Sequence, residues 1–140
     1  MQSKENKNII FIRLFPGEDA HNELINVCKK HEIKTAVIIS GIGQLKETEI
    51  GYFVKKGNYS PEKFTKPLEI ICLNGNICKN KDEYISHIHI TVSDEDKNAF
   101  GGHFIKGLVS VTAEIVLLKT DIEVRREYDD KTGLEALDLS

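Results

Sequence analysis

Two segments in which apolar and polar residues alternate constrain the fold of this chain most. They are EYISHIHITV at 83–92 and LVSVTAEIVLL at 108–118. Successive side chains of a β-strand point to opposite faces of the sheet, so this alternation predicts two strands that are each buried on one face. The polar residues and paired glycines between them predict that the chain returns close to the first strand, as in a long hairpin.

The rest of the chain predicts further strands and a single helix. A helix is expected from about residue 18 to 31, because Leu24, Val27, Cys28 and His31 recur at helical spacing. The other predicted strands cover 8–15, 35–43, 47–55, 68–77 and 122–128. With a length of 140 residues, the sequence predicts one α+β domain over residues 9–140 after a flexible N-terminus, 1–8. Its curled, mixed sheet should be mostly antiparallel, and the segment 8–43 should form a strand–helix–strand unit.

Charge and hydropathy narrow the classes of function. The formal net charge is −3 and the isoelectric point is about 6.0, whereas domains that neutralise nucleic-acid phosphates are normally basic. Unaided DNA binding is therefore disfavoured. No apolar run reaches the length of a membrane span, and the segment MQSKENKN lacks an apolar signal region, so a cytoplasmic protein without membrane association is expected.

Three of the five histidines lie close together in the sequence, in SHIHITVSDEDKNAFGGHF at 86–104. Alternation places His87 and His89 on the same face of their strand, about 6.6 Å apart at Cα. Their imidazoles can lean together to place nitrogens about 2.0–2.1 Å from one ion. Because Gly101 and Gly102 allow a close backbone approach, His103 is predicted to join them from the returning strand.

The sequence alone leaves three interpretations of this histidine cluster open. Three imidazoles with an open fourth position are typical of catalytic zinc sites, although imidazole also suits iron, nickel and copper. A cluster of general bases, or polar side chains that line a half-buried strand face, would show the same pattern. The metal-site interpretation predicts one divalent transition metal, with zinc favoured. The pattern does not specify a reaction, so whether the chain is an enzyme is left open.

Three charged residues within strand segments are candidates to support such a site. Glu114 lies in mid-strand, and two roles are open for it. Its carboxylate could orient a histidine or act as an acid or base, or it could form a structural ion pair. Glu69 begins an apolar run and needs a partner, for which Arg13 is suitable. A structural Arg13–Glu69 pair and an anion-binding Arg13 are the two alternatives.

Several short motifs occur in an order and spacing that resemble one known family. They are Arg13-x-x-Pro16-Gly17-Glu18-Asp19, Ser40-Gly41-Ile42-Gly43, Glu69-Ile70-Ile71-x-Leu73-x-Gly75-Asn76, His87-x-His89, Gly101-Gly102-His103, Glu114 and Thr132-Gly133-Leu134. Over residues 9–139 the chain is similar to the plants-and-prokaryotes conserved (PPC) domain. Phe104 departs from the aliphatic residue that is usual there, and Lys97-Asn98 replaces a common glycine.

The resemblance implies a compact α+β homotrimer. In plants this domain follows AT-hook motifs that bind DNA and contacts other transcription factors, and free-standing prokaryotic members are labelled predicted DNA-binding proteins. This chain has no Arg-Gly-Arg-Pro hook. The family fold is also similar to that of acetolactate decarboxylase, a metal enzyme with three histidine ligands, which implies that His87, His89 and His103 bind a metal here.

Two functional hypotheses follow. The first is a small cytoplasmic homotrimer that holds one metal, zinc above all, through the three histidines, in a pocket for a small anionic ligand or substrate. The second is a regulatory or scaffolding trimer that associates with DNA or transcription factors without catalysis.

Overall fold

The computed structural model describes residues 1–140 and contains nine strands and one helix. In chain order the elements are β1 (Gln2–Asn6), β2 (Ile9–Leu14), α1 (Ala20–Lys30), β3 (Thr35–Lys55), β4 (Asn58–Phe64), β5 (Leu68–Asn80), β6 (Glu83–Ser93), β7 (Ala99–Thr120), β8 (Arg125–Asp129) and β9 (Leu134–Asp138). The helix is neither long nor apolar enough to cross a membrane.

Seven strands form one sheet in the order β1-β2-β7-β6-β5-β3-β4, and β3 pairs with β7 as well. The strands β3, β5, β6 and β7 therefore close a ring. This closure is possible because β3 and β7 are 21 and 22 residues long and pair with different neighbours along their length. The predicted α+β class is confirmed, but every strand pairing is antiparallel rather than mixed.

The segment from β2 to β3 is the predicted strand–helix–strand unit. Both strands pair antiparallel with β7, on its opposite edges, so they run parallel to each other with β7 between them. Asp19 caps α1 by accepting a hydrogen bond from the backbone N–H of Asn22 at 2.9 Å, which satisfies one of the free donors of the first turn. Leu24, Val27 and Cys28 form the buried face of the helix.

One contiguous core of 24 buried residues lies between α1 and the inward faces of the strands. On β6 the buried side chains are Ile88, Ile90 and Val92. Because side chains alternate along a strand, His87 and His89 are directed to the outer face of the ring. The apolar half of the alternating pattern thus builds the core, and the polar half is presented to solvent.

The N-terminal segment differs from the flexible end that the sequence predicted. Residues Gln2–Asn6 form β1, an edge strand paired with β2. Its alternate side chains bind polar partners: Ser3 Oγ lies 2.9 Å from His31 Nε2, and a carboxylate oxygen of Glu5 lies 2.8 Å from His31 Nδ1. Lys119 Nζ donates to the other Glu5 oxygen at 3.1 Å. Polar pairing of this kind leaves no hydrophobic periodicity in the sequence.

The C-terminal strands also differ from expectation. The segment 122–128 was predicted to close the main sheet, whereas β8 pairs with β9 in a separate two-stranded hairpin. This hairpin packs against β5, where Asn80 Nδ2 donates to the carbonyl of Arg126 at 3.1 Å. It therefore covers the outer face of the ring next to β6, which is the face that carries the histidines.

Candidate metal centre

The three predicted histidines converge on the outer face of the ring. The Nε2 atoms of His87 and His89 are 3.2 Å apart. His103 lies directly opposite His89 in the β6–β7 register, and its ring centroid is 5.6 Å from that of His87 and 5.7 Å from that of His89. One ring nitrogen from each residue lies within 4.8 Å of the other two. Two strands thus bring three imidazoles to one point.

Glycines allow the close approach that places His103. A Cβ added at Gly102 would lie 2.6 Å from the carbonyl oxygen of Gly51, so β7 can reach β3 here only without a side chain. A Cβ at Gly51 would in turn lie 2.1 Å from the ring of Tyr59. With that space free, the Tyr59 ring packs edge-on to His103, with centroids 5.8 Å apart, and restricts its orientation.

The surroundings of the cluster favour neutral imidazoles. Burial first, and then the positive charges that His87, His89 and His21 would carry, lower the pKa of His103 to about 4. The pKa of His87 is also lowered, first by burial and then by the guanidinium of Arg126 and by His89. Neutral imidazole is the form that offers a nitrogen lone pair to a metal.

The donor set fits a transition metal. Two imidazoles bound to one tetrahedral ion at about 2.0–2.1 Å place their nitrogens about 3.3 Å apart, and the observed His87–His89 separation is 3.2 Å. A hydrogen bond between two neutral imidazoles at this distance satisfies only that pair and leaves His103 unexplained. The ring nitrogen of His103 completes the set within 4.8 Å of the other two.

The histidines form the floor of a cavity of about 680 Å³. One wall comes from the β3–β4 hairpin and the other from the C-terminal hairpin. The wall residues are Tyr52, Phe53 and Tyr59 on one side and Arg126, Leu134 and Glu135 on the other. Aromatic and aliphatic walls with a few convergent polar groups are typical of small-molecule sites.

Arg126 is a site residue that the sequence did not reveal. Its side chain is buried, with 6% of the residue exposed. Nη2 donates to Asn76 Oδ1 at 2.6 Å and Nη1 donates to the carbonyl of Glu135 at 2.9 Å. In the sequence, adjacent Arg125 and Arg126 resemble a solvated basic pair, and no pattern there indicates that Arg126 is buried.

The structure places Arg13, Glu69 and Glu114 away from this cavity. All three are exposed on the outer sheet face. Arg13 lies opposite Glu114 in the β2–β7 register, and Glu69 accepts a hydrogen bond from Gln44 Nε2 at 2.7 Å. The expected Arg13–Glu69 pair is not formed, because β2 and β5 are separated in the sheet by β7 and β6.

Comparison with known proteins identifies the family. The family model described as the Plants and Prokaryotes Conserved (PCC) domain matches residues 1–121. The chain belongs to this family, as the order of its motifs predicted.

Solved structures from bacteria and archaea share the whole fold. A candidate DNA-binding protein from Bacteroides thetaiotaomicron is 27% identical with a TM-score of 0.93, covering 99% of this chain and 96% of its own. A PPC protein from Pyrococcus horikoshii is 29% identical with a TM-score of 0.81, over 96% and 93% of the two chains. A metal-containing protein from Archaeoglobus fulgidus is 26% identical with a TM-score of 0.83, over 96% and 95%.

A curated relative is much longer than this chain. The bifunctional protein GlmU of Synechococcus sp. (strain JA-2-3B'a(2-13)) is 31% identical over 124 residues, which cover 87% of this chain and 18% of that protein. The chain therefore spans less than a fifth of the length of this relative.

Proposed function

We propose that this protein binds one divalent transition metal, with zinc favoured, through His87, His89 and His103, and that its pocket takes a small anionic ligand or substrate. The observation that carries the proposal is the convergence of three imidazoles, from two strands, on the floor of one cavity. The similarity to a metal-containing protein of the same fold supports it.

The pocket suits a ligand that meets the metal from one side. Three histidine ligands would leave a coordination position free for a ligand, and an ion bound there would supply Lewis acidity toward a carbonyl or a water molecule. The chain itself supplies the aromatic wall beside the histidines, and Tyr59 packs edge-on against the ring of His103.

Metal content tests the proposal. Protein purified without a polyhistidine tag, stripped with a chelator and reloaded with zinc should contain about one ion per chain after gel filtration. Elemental analysis measures the ratio. A ratio near zero, at a zinc concentration that loads other three-histidine proteins, would remove the metal site from the account.

We further propose that the protein is a homotrimer, as the family resemblance implies. Apolar side chains are exposed on the outer face of β2, β3, β5 and β7, and this set is named the outer apolar face. Its members are Phe11, Val37, Ile39, Ile42, Ile71, Val111 and Leu118. Large exposed apolar patches mark protein interfaces, and second and third copies of this chain are the partners we propose.

Replacement of Phe11 tests the trimer. Phe11 is 64% exposed, so Phe11→Asp should leave the fold intact but place a charge in the buried interface, and the protein should become monomeric. Light scattering after gel filtration should give about three times 15.8 kDa for the wild type and 15.8 kDa for the variant. Leu139→Asp, at a residue 68% exposed outside the main sheet, is the control and should remain trimeric. A monomeric wild type contradicts the proposal.

A second candidate function is a regulatory or scaffolding trimer that associates with DNA or transcription factors. The similarity to a candidate DNA-binding protein favours it, whereas the net charge of −3 disfavours direct phosphate contacts. Gel-shift titrations at two salt concentrations distinguish the cases, because direct binding would weaken steeply as salt rises.

A further inference from the structure

We propose that Arg126 binds the carboxylate of a small organic anion in the cavity, while a second oxygen of the same molecule faces the three-histidine centre. The inference rests on the proposed metal site and names the group and the ligand class that complete it. Arg126 belongs to the C-terminal hairpin, beyond the residues 1–121 that match the family model.

The hydrogen bonds of Arg126 leave its charge without a counterion. A guanidinium has five N–H donors, and its two acceptors here, Asn76 Oδ1 and the Glu135 carbonyl, are both neutral. Its Nε is buried without any partner. No carboxylate lies within ion-pair distance, and the exposed side chain of Glu135 makes no such contact. A buried unpaired cation is costly, and an anionic ligand would supply the missing charge.

Arg126 lies close to the histidine cluster. Asn76, which accepts from its Nη2, lies opposite His87 in the β5–β6 register. Cross-strand partners of this kind have Cβ atoms about 4.5–5.5 Å apart on the same face of the sheet. The guanidinium and the histidine cluster also line the same cavity of about 680 Å³, so one small molecule can contact both.

A purely structural role explains less of the geometry. Pinning the C-terminal hairpin to β5 requires only the contact with Asn76, because Glu135 lies in the same hairpin as Arg126, and a neutral donor can supply one hydrogen bond to an amide oxygen. A planar guanidinium with free donors is, in contrast, the group that binds carboxylates with two parallel hydrogen bonds. The acceptors present use only part of that capacity.

Calorimetry on the zinc-loaded protein tests the inference, with malonate, succinate and glutarate as probes and succinamide as the neutral control. We expect at least one dicarboxylate to bind and succinamide not to bind. Arg126→Gln should weaken dicarboxylate binding at least tenfold while zinc content remains near one per chain. Equal affinities in the wild type and Arg126→Gln would overturn the inference.

Asn76→Asp provides a second variant in case Arg126→Gln does not fold. The carboxylate at position 76 would accept the hydrogen bond from Arg126 in place of the amide, so the hairpin contact is kept. The same carboxylate would neutralise the charge of the guanidinium without a ligand. Dicarboxylate binding should again fall at least tenfold, and unchanged binding would overturn the inference. A zinc-loaded wild type that binds no dicarboxylate would also overturn it and leave the metal site standing. A wild type that holds no zinc would contradict the proposed function itself.

Discussion

His103→Ala should retain less than a tenth of one zinc ion per chain under conditions that load the wild type fully. His103 is the one ligand from β7, and without it two adjacent imidazoles of one strand remain. Loss of an outer hydrogen-bond partner alone typically lowers metal affinity about 10–100-fold, so loss of a ligand should cost more than about 100-fold. Elemental analysis and competition with a chromophoric chelator measure the change.

The matched control is His31→Ala. His31 is bound by Ser3 and Glu5 at the end of α1 and is not among the clustered histidines. This variant should bind zinc like the wild type, and its melting temperature should fall because two polar contacts are lost. Full zinc content in His103→Ala would contradict the assignment of the ligands.

Gly75→Ala should destabilise the fold by about 2–6 kcal/mol. Gly75 has φ +146°, and an added Cβ would lie 2.1 Å from the carbonyl oxygen of His87 and 2.8 Å from the Cα of Ile88. The backbone strain costs about 1–3 kcal/mol, and displacement of β6 adds about 1–3 kcal/mol of overpacking. Because His87 would move with β6, zinc affinity should fall as well. Urea denaturation measures the free energy of unfolding.

Gly57→Ala is the control for backbone strain alone. Gly57 has φ +73° in the β3–β4 turn, and no atom lies within 4 Å of an added Cβ. This variant should cost only about 1–2 kcal/mol and should leave zinc binding unchanged. Equal losses of stability at the two glycines would show that the approach of β5 to β6 is not as tight as described.

Much of the fold was predictable wherever a strand or helix has one apolar side. The helix α1 and the strands β2, β5, β6 and β7 each bury a regular set of apolar residues, and burial of that set determines which face is turned inward. The strands β1 and β4 were not predicted, because they are edge strands that bury few apolar side chains. In β4, Pro61 also opposes strand formation except at an edge.

The histidine cluster was predictable because its geometry is local. His87 and His89 must share a face of one strand, and the paired glycines bring His103 to the adjacent strand. Arg126 was not predictable, since its position depends on how the C-terminal hairpin packs against β5. The separation of Arg13 from Glu69 was likewise not predictable, because it follows from the order of the strands in the sheet, and local sequence patterns do not determine that order.

Diffraction data collected on both sides of the zinc absorption edge, from crystals of the zinc-loaded protein, test the three-histidine centre most directly. We expect one anomalous peak per chain, about 2.0–2.1 Å from a ring nitrogen of each of His87, His89 and His103. Zinc-loaded crystals with no peak among these rings, or with the three rings turned away from one another, would contradict the centre.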